Sequence, residues 1–245
     1  MMIMKTDLIY RFTRWASAIS VVFVMAGGCG TCNCTVRAAE VEKPGKWQML
    51  FDGKKVEGLR GYAQESMPTN SWEISKKTLH AIPGKGIDLI TTEKFTDFEL
   101  LLEWKVSPGG NSGVMYRVTE IAKDKPWFTG PEMQILDDAL HPDGKNPKTS
   151  AGALYALMAP NESKKLKAVG SWNKASIIFK GSHAEHWLNG KKVVEYTWAS
   201  QELEQLIVQS KFKDKPRFMK EAEGRICIQH HGQEVWLRNI RIRRL

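Results

Sequence analysis

The chain has 245 residues, which is enough for one large all-β domain or two small domains. Its hydrophobic content of 42% and charged content of 26% are typical of a globular protein and exclude an intrinsically disordered one. The formal net charge of +9 is scattered and accompanies no RNA- or DNA-binding motif, so we expect no nucleic-acid partner.

The first 38 residues have the pattern of a secretory signal peptide. Three basic residues come first, and an apolar stretch over residues 16–28 follows that is too short to span a bilayer comfortably. Small residues at Val36 and Ala38 predict cleavage after Ala38, with export to the periplasm or beyond the cell and no transmembrane span after processing. The alternative is a lipid anchor on Cys29, which follows "MAGG".

Removal of this leader changes the charge and the redox chemistry expected of the mature chain. The leader carries a net charge of +3, so the mature chain keeps about +6 of the total +9. Of the four cysteines, only Cys227 remains, so we expect no internal disulfide and a fold that depends on its hydrophobic core.

Strand patterns dominate the mature chain. "DFELLLEWKV" alternates apolar and polar residues, as a half-buried antiparallel strand does. "HWLNGKKVVEY" predicts a hairpin, because Asn189-Gly190 suits the positive φ angles of a type I′ turn. Further predicted strands are "QMLF", "SWEIS", "TLHAI", "IDLITT", "SGVMYRV", "GALYALMA", "ASIIFKG", "RICIQHH" and "VWLRNIRI".

These short strands, separated by turn residues, predict an all-β sandwich or jelly roll of antiparallel sheets in a single domain over residues 39–245. One short helix is predicted near residues 200–212, in "SQELEQLIVQSKF". Leu203, Leu206 and Ile207 form its apolar stripe, and Ser200 is its candidate N-cap.

Polar side chains fall on one face of three predicted strands. Alternation puts Asn111 and Arg117 on one face of "NSGVMYRV", because strand side chains point to opposite faces in turn. The same rule pairs Glu132 with Gln134 in "GPEMQILDD", and Gln229 with His231 in "RICIQHH". If the strands are neighbours, these residues line a polar ligand-binding surface. The alternative is a solvated outer face with an Arg117–Glu132 cross-strand pair.

The loop "DDALHPDGKN" is rich in oxygen and imidazole ligands. Asp137, Asp138, His141 and Asp143 lie within seven positions, a density that suits a divalent metal near Asp137 and His141. Asp, Asn, Pro and Gly are also ordinary turn formers, so a structural loop is the alternative. We assign no cofactor from this pattern.

Several segments occur in an order that resembles one known family. They are "WQMLFDGKKVEGLRGY", "NSGVMYR", "GPEMQILDDALHPD", "AGALYALMAP", "SWNKASIIFKGSHAEHWLNGKKVVEY" and "ICIQHHGQEVWLRNIRIRRL". Together they resemble the 3-keto-disaccharide hydrolase domain family, over about Trp47 to Leu245. The resemblance implies a concanavalin A-like jelly roll with a ligand groove on its concave face. It also implies an exported hydrolase whose carbohydrate substrate is a 3-keto glycoside.

The implied substrate changes the catalytic groups that the sequence must supply. Ordinary glycosidases use two carboxylates, but the strand here reads Glu132, Gln134, Leu136 and lacks the second acid. A ketone at C3 acidifies the C2 proton, so elimination followed by water addition needs one base and a stabiliser for the enolate oxygen.

Roles follow from this chemistry as hypotheses. Glu132 or His231 is the candidate base, and Arg117 is the candidate enolate stabiliser. Candidate substrate-binding residues are Asn111, Gln134, Asp137, His141, Tyr155 and Gln229. Two other functions share the fold: a non-catalytic carbohydrate-binding domain of the cell envelope, and an envelope protein whose polar face binds a partner.

Overall fold

The computed structural model describes residues 43–121 and 125–245. The predicted signal peptide and the alternative lipid anchor at Cys29 lie outside the described residues and stay predictions. The described residues belong to one compact unit. Within them, no helix is long and apolar enough to cross a membrane.

Nearly all regular structure in these two ranges is β-strand. The strands are β1 (Gln48–Phe51), β2 (Leu59–Gly61), β3 (Trp72–Ser75), β4 (Thr78–Ala81), β5 (Leu89–Thr91), β6 (Phe98–Val106), β7 (Asn111–Val118), β8 (Glu132–Leu136), β9 (Asn173–Lys180), β10 (His183–Leu188), β11 (Lys191–Thr197), β12 (Arg225–Ile228) and β13 (Val235–Arg244). One α-helix, α1 (Gln201–Val208), and short 3-10 helices at Pro126–Phe128, Pro142–Lys145 and Pro147–Thr149 complete the elements.

The strands form two antiparallel sheets, which confirms the predicted all-β sandwich. The larger sheet has the order β11-β10-β9-β6-β13-β4-β3, and β1 pairs with the C-terminal half of β13. The smaller sheet has the order β2-β5-β12-β7-β8. Neighbours in space are mostly distant in sequence, as expected of a jelly roll and not of a simple meander.

The main core fills the space between the two sheets. Alternating residues of β6, such as Phe98 and Trp104, are buried on one side, while the residues between them are partly exposed. The smaller sheet contributes Val114 and Tyr116 from β7 and Met133 and Ile135 from β8. These residues are large and apolar, so their burial is the dominant favourable term for the fold.

The smaller sheet is also covered on its other face, where a second apolar cluster of Ile90, Met115, Val118 and Cys227 lies. Every residue of β7 and β8 is buried. This sheet is therefore shielded from water on both sides. A polar side chain buried on its outer face destabilises the fold unless it finds a hydrogen-bond partner.

Several predicted elements are confirmed in detail. Asn189 and Gly190 have positive φ angles of 49° and 79° between β10 and β11. The Ser200 hydroxyl oxygen accepts a hydrogen bond from the backbone N–H of Leu203 at 3.2 Å, so Ser200 caps α1 as predicted. The helix ends at Val208, however, and not at residue 212.

The predicted strand "GALYALMA" is wrong. Residues 151–158 form successive turns, with isolated bridges from Leu154 to Met133 and to Met158. Their backbone still bonds to the edge of β8, through Gly152 N–H to Gln134 O at 2.8 Å and Tyr155 N–H to Glu132 O at 3.0 Å. The apolar residues of this segment pack under the turns, which explains why the sequence imitates a strand.

Candidate active site

A pocket of about 230 Å³ lies on the face of the smaller sheet that is turned away from the main core. The strand register builds it: Met115 of β7 is opposite Glu132 of β8, and Gly113 is opposite Gln134. The backbone N–H of Gln229 donates to Gly113 O at 2.9 Å and brings the end of β12 alongside. The pocket is lined by Asn111, Trp127, Gly130, Glu132, Gln134, Tyr155, Lys211, Phe212, Gln229 and His231.

Six of the nine predicted site residues therefore meet in one pocket. They are Asn111, Glu132, Gln134, Tyr155, Gln229 and His231. Asn111, Glu132 and Gln134 are 3%, 7% and 2% exposed, so the alternative of a solvated outer face is wrong for them. Buried polar groups are normally hydrogen-bonded, so a polar and shielded pocket suggests that a ligand completes the bonding.

The carboxylate of Glu132 is the most unusual group in the pocket. Its Oε1 is buried without a hydrogen-bond partner among the described residues. The carboxylate lies over Gly113, where a Cβ atom would come within 1.7 Å of Oε1. Gly113 thus leaves the space that the carboxylate occupies.

Burial raises the pKa of Glu132 from 4.5 to about 8, because the charged form loses its hydration. Lys211 opposes the increase, while the negative charges of Asp88 and Asp143 add to it. A carboxylate that titrates near neutral pH is suited to accept a proton, as a general base does.

The prediction that Arg117 shares this face with Glu132 is wrong. Between the pairs Arg225–Val118 and Cys227–Met115, β7 has two intervening residues and β12 has one. Arg117 itself has a positive φ of 52°. This β-bulge reverses the alternation, so Val118 joins the outer cluster and Arg117 turns to the opposite side.

The Arg117 guanidinium packs in the interior instead. It lies 3.8 Å from the ring centroid of Phe179 and 4.7 Å from that of Trp198. Its nitrogens donate to the carbonyl oxygens of Glu221 and Thr96. These contacts give Arg117 a role in holding the fold together. Arg117 does not line the pocket.

Two amides and two histidines form a chain of contacts from the floor of the pocket to its rim. Gln134 Nε2 donates to Asn111 Oδ1 at 3.5 Å, and the Asn111 amide nitrogen is 3.3 Å from Nε2 of His141. The His141 ring lies 6.0 Å from the ring of His231, which is exposed and bonds through Nδ1 to Gln233. His141 therefore supports the pocket from behind Asn111 and does not line it.

Asp137 does not reach the pocket. Its two carboxylate oxygens accept hydrogen bonds from the backbone N–H groups of Gly109 and Ala139, at 2.8 and 3.0 Å. Its neighbour Asp138 pairs with Lys164 at 2.6 Å. Both acids hold the loop in place, which favours the structural alternative over the predicted substrate-binding role of Asp137.

The predicted metal near Asp137 and His141 has no clustered ligand set there. Within the described ranges, the one group of three close His, Cys, Asp or Glu ligand atoms is His183, Glu185 and Glu195, on the hairpin of β10 and β11. Lys192 already pairs with both of those glutamates.

Three further side chains line the pocket that strand alternation does not predict: Trp127, Lys211 and Phe212. Trp127 belongs to a 3-10 helix, and the other two follow α1, so neither segment shows strand alternation. The chain has nine tryptophans against five tyrosines, and such rings suit sugar-binding surfaces, but this excess identifies no position.

This arrangement allows one kind of acid–base chemistry more readily than others. Glu132 is the single carboxylate among the residues that line the pocket. Glycosidases that act through paired carboxylates need a second one about 5–10 Å away, across the scissile bond. The pocket instead combines one buried base with amides and a cation, a set suited to proton abstraction beside a carbonyl group.

Comparisons with known proteins identify the family of this chain. The profile of the family described as a 3-keto-alpha-glucoside-1,2-lyase-like domain matches residues 46–243. A 3-keto-disaccharide hydrolase from Bacteroides thetaiotaomicron is 37% identical over 225 residues, which cover 79% of this chain and 77% of that protein.

Two crystal structures from Parabacteroides distasonis, both described as candidate glycosyl hydrolases, have the same fold. One has a TM-score of 0.75 at 28% identity and covers 81% of this chain and 94% of its own. The other has a TM-score of 0.62 at 29% identity and covers 82% and 100%. The resemblance predicted from the sequence is confirmed: this chain belongs to the 3-keto-alpha-glucoside-1,2-lyase-like domain family.

Proposed function

We propose that this protein cleaves the glycosidic bond of 3-keto glycosides by elimination and hydration, with Glu132 as the base. Its family and its 3-keto-disaccharide hydrolase relative make it a glycoside hydrolase; the substrate and the route are the proposal. The observation that carries the route is the lone, buried and unpartnered carboxylate of Glu132 in a pocket without a second acid.

The reaction begins at C2 of the sugar. Glu132 removes the C2 proton, and the electron pair moves onto the C3 carbonyl oxygen as an enolate. When that pair returns, the bond from C1 to the leaving oxygen breaks, and the leaving oxygen takes up a proton. Water then adds its oxygen to C1 and a proton to C2, so the net reaction is hydrolysis.

The pocket suits this role in size and polarity. Its volume of about 230 Å³ is below the range of roughly 300–1,000 Å³ that is usual for larger ligands, so it fits one sugar ring with the aglycone outside. The amides of Asn111, Gln134 and Gln229 are suited to bind ring hydroxyls. His231 is exposed at the rim and is the alternative base.

Replacing Glu132 by Gln tests the assignment of the base. The substitution keeps the shape and removes the proton acceptor, so kcat/KM on 3-keto-trehalose should fall by about 10²- to 10⁴-fold, the usual contribution of general-base catalysis. Wild-type kcat/KM should rise with pH through about 8, the pKa of Glu132, because only the ionised form accepts a proton. Unoxidised trehalose should stay intact.

His231→Gln is the matched control for the alternative base. A large loss in this variant, with Glu132→Gln still active, would transfer the role to His231. Equal cleavage of oxidised and unoxidised trehalose by the wild type would overturn the elimination route. Binding of 3-keto-trehalose without turnover would favour a carbohydrate-binding domain.

A further inference from the structure

Lys211 is a cation of the pocket that lies outside the helices and strands. It follows the end of α1, in a turn where the Ser210 hydroxyl accepts from the backbone N–H of Phe212 at 3.0 Å and donates to Ile207 O at 2.8 Å. The Phe212 ring stacks on Phe218 at 3.9 Å in the core. The backbone beside Lys211 is thus anchored, although its side chain is exposed at the mouth of the pocket.

Three aromatic rings surround the Lys211 ammonium. Its Nζ lies 4.2 Å from the ring centroid of Tyr155, 5.3 Å from that of Phe212 and 5.9 Å from that of Trp127. Rings at these distances attract a cation through their π faces. They also restrict a long side chain that would otherwise sample many rotamers, so the ammonium is held over the pocket.

Neither Lys211 nor Glu132 has a side-chain hydrogen bond or ion pair in the parts of the chain that the structure describes. Lys211 makes no hydrogen bond or ion pair there, and the Glu132 carboxylate accepts none. The two groups still feel each other's charge: Glu132 and Asp143 raise the pKa of Lys211, while desolvation, the larger influence, lowers it. Glu132 and Lys211 line the same pocket but do not form an ion pair with each other, which leaves space for a substrate between the base and the cation.

We propose that Lys211 is a catalytic residue that donates a hydrogen bond to the C3 oxygen of the sugar as this oxygen becomes an enolate. The inference rests on the proposed function and assigns to Lys211 the role that the sequence suggested for Arg117. As Glu132 takes the C2 proton, the electron pair moves to the C3 oxygen and meets the ammonium. Because an oxyanion donor acts on developing charge, Lys211 lowers the barrier more than it strengthens binding.

Lys215 provides a matched control. It is also a lysine over aromatic rings, 3.7 Å from the centroid of Phe128 and 5.3 Å from that of Trp127, but it does not line the pocket. Steady-state kinetics on 3-keto-trehalose should show that Lys211→Met lowers kcat by about 10²- to 10³-fold, as loss of one oxyanion donor does, with a smaller change in KM. Lys215→Met should stay within about 3-fold of the wild type, since its ammonium makes no contact with the reacting atoms.

The pH profile separates catalysis from a structural role. The groups facing Lys211 are Glu132, Asp143, Tyr155 and His231. Wild-type kcat should fall on the alkaline side as Lys211 loses its proton, and this fall should be missing in Lys211→Met. Small primary amines should partly restore Lys211→Ala, which covers the case in which the Met variant folds poorly.

The outcomes distinguish this inference from the proposed function. An inactive Glu132→Gln variant beside a fully active Lys211→Met would overturn the role of Lys211 and leave elimination intact. Equal losses in Lys211→Met and Lys215→Met, with no rescue by amines, would also overturn it. A wild type that leaves 3-keto-trehalose uncleaved would overturn the proposed function and the role of Lys211 together.

Discussion

At Glu132, a single side chain shows how burial converts a common residue into a reactive one. A carboxylate in water has a pKa of about 4.5, but burial raises the pKa of this one to about 8, because the charged form loses its hydration and no donor among the described residues bonds Oε1. Strand alternation in the sequence predicts which face Glu132 occupies. It does not predict the burial, because most of the covering residues, such as Tyr155, Lys211 and Phe212, come from segments distant in the chain.

The buried acid should also affect stability in a pH-dependent way. Below about pH 4.5, Glu132 is neutral in both the folded and unfolded states, so Glu132→Gln should change little. Between pH 4.5 and pH 8, Glu132 is ionised in the unfolded chain but stays protonated in the folded one. The wild type therefore loses stability relative to the variant as the pH rises through this range. The advantage of the variant should therefore grow up to about pH 8 and remain constant above it.

Thermal unfolding at pH 5 and pH 8.5 measures this difference. Each kcal/mol in favour of Glu132→Gln appears as about 2–4 °C in Tm for a domain of this size. The exposed Glu162 gives the control, because Glu162→Gln should alter Tm equally at both values. An equal change in Tm at both pH values for Glu132→Gln would contradict the burial of a titrating carboxylate.

At the scale of elements, the bulge in β7 decides which residues reach the pocket. Alternation holds through Asn111, Gly113 and Met115 and then fails, since one extra residue in β7 reverses the order before Arg117. Bulges have no strong sequence pattern, so strand alternation predicts the wrong face of the sheet for Arg117. The same limit applies to α1, whose end at Val208 frees Lys211 for the pocket.

Arg117 should accordingly matter for stability and not for turnover. Arg117→Met removes the guanidinium from Phe179 and Trp198 and leaves the carbonyl oxygens of Thr96 and Glu221 without their donor. A desolvated cation–π contact contributes on the order of 2 kcal/mol, so we expect Tm to fall by several degrees. Below the melting range, kcat should stay within about 3-fold of the wild type.

Thermal unfolding and kinetics of the same Arg117→Met preparation test this prediction. Lys211→Met is the converse variant, with a large expected loss of kcat. A loss of kcat in Arg117→Met at unchanged Tm would restore the catalytic role that the sequence suggested and contradict the structural one.

At the scale of the whole molecule, the two sheets differ in what they carry. The larger sheet has one buried and one partly exposed face, which the alternation in "DFELLLEWKV" predicts directly. The smaller sheet is buried on both faces and carries the pocket between its strands and the segments around Trp127 and Lys211. The sandwich and the strand contributions to the site were therefore predictable. The covering segments were not, because tertiary packing and not local periodicity sets their positions.

If cleavage passes through removal of the C2 proton, hydrolysis in heavy water must leave solvent deuterium at C2 of the product. Wild-type protein should cleave 3-keto-trehalose in heavy water, and early product should carry one deuterium at C2 by mass spectrometry and NMR. Product sugar kept in heavy water without the protein corrects for spontaneous exchange. Glu132→Gln should cleave the substrate, and incorporate deuterium above that background, about 10²- to 10⁴-fold more slowly than the wild type. Cleavage at the wild-type rate with no deuterium at C2 would contradict the elimination route.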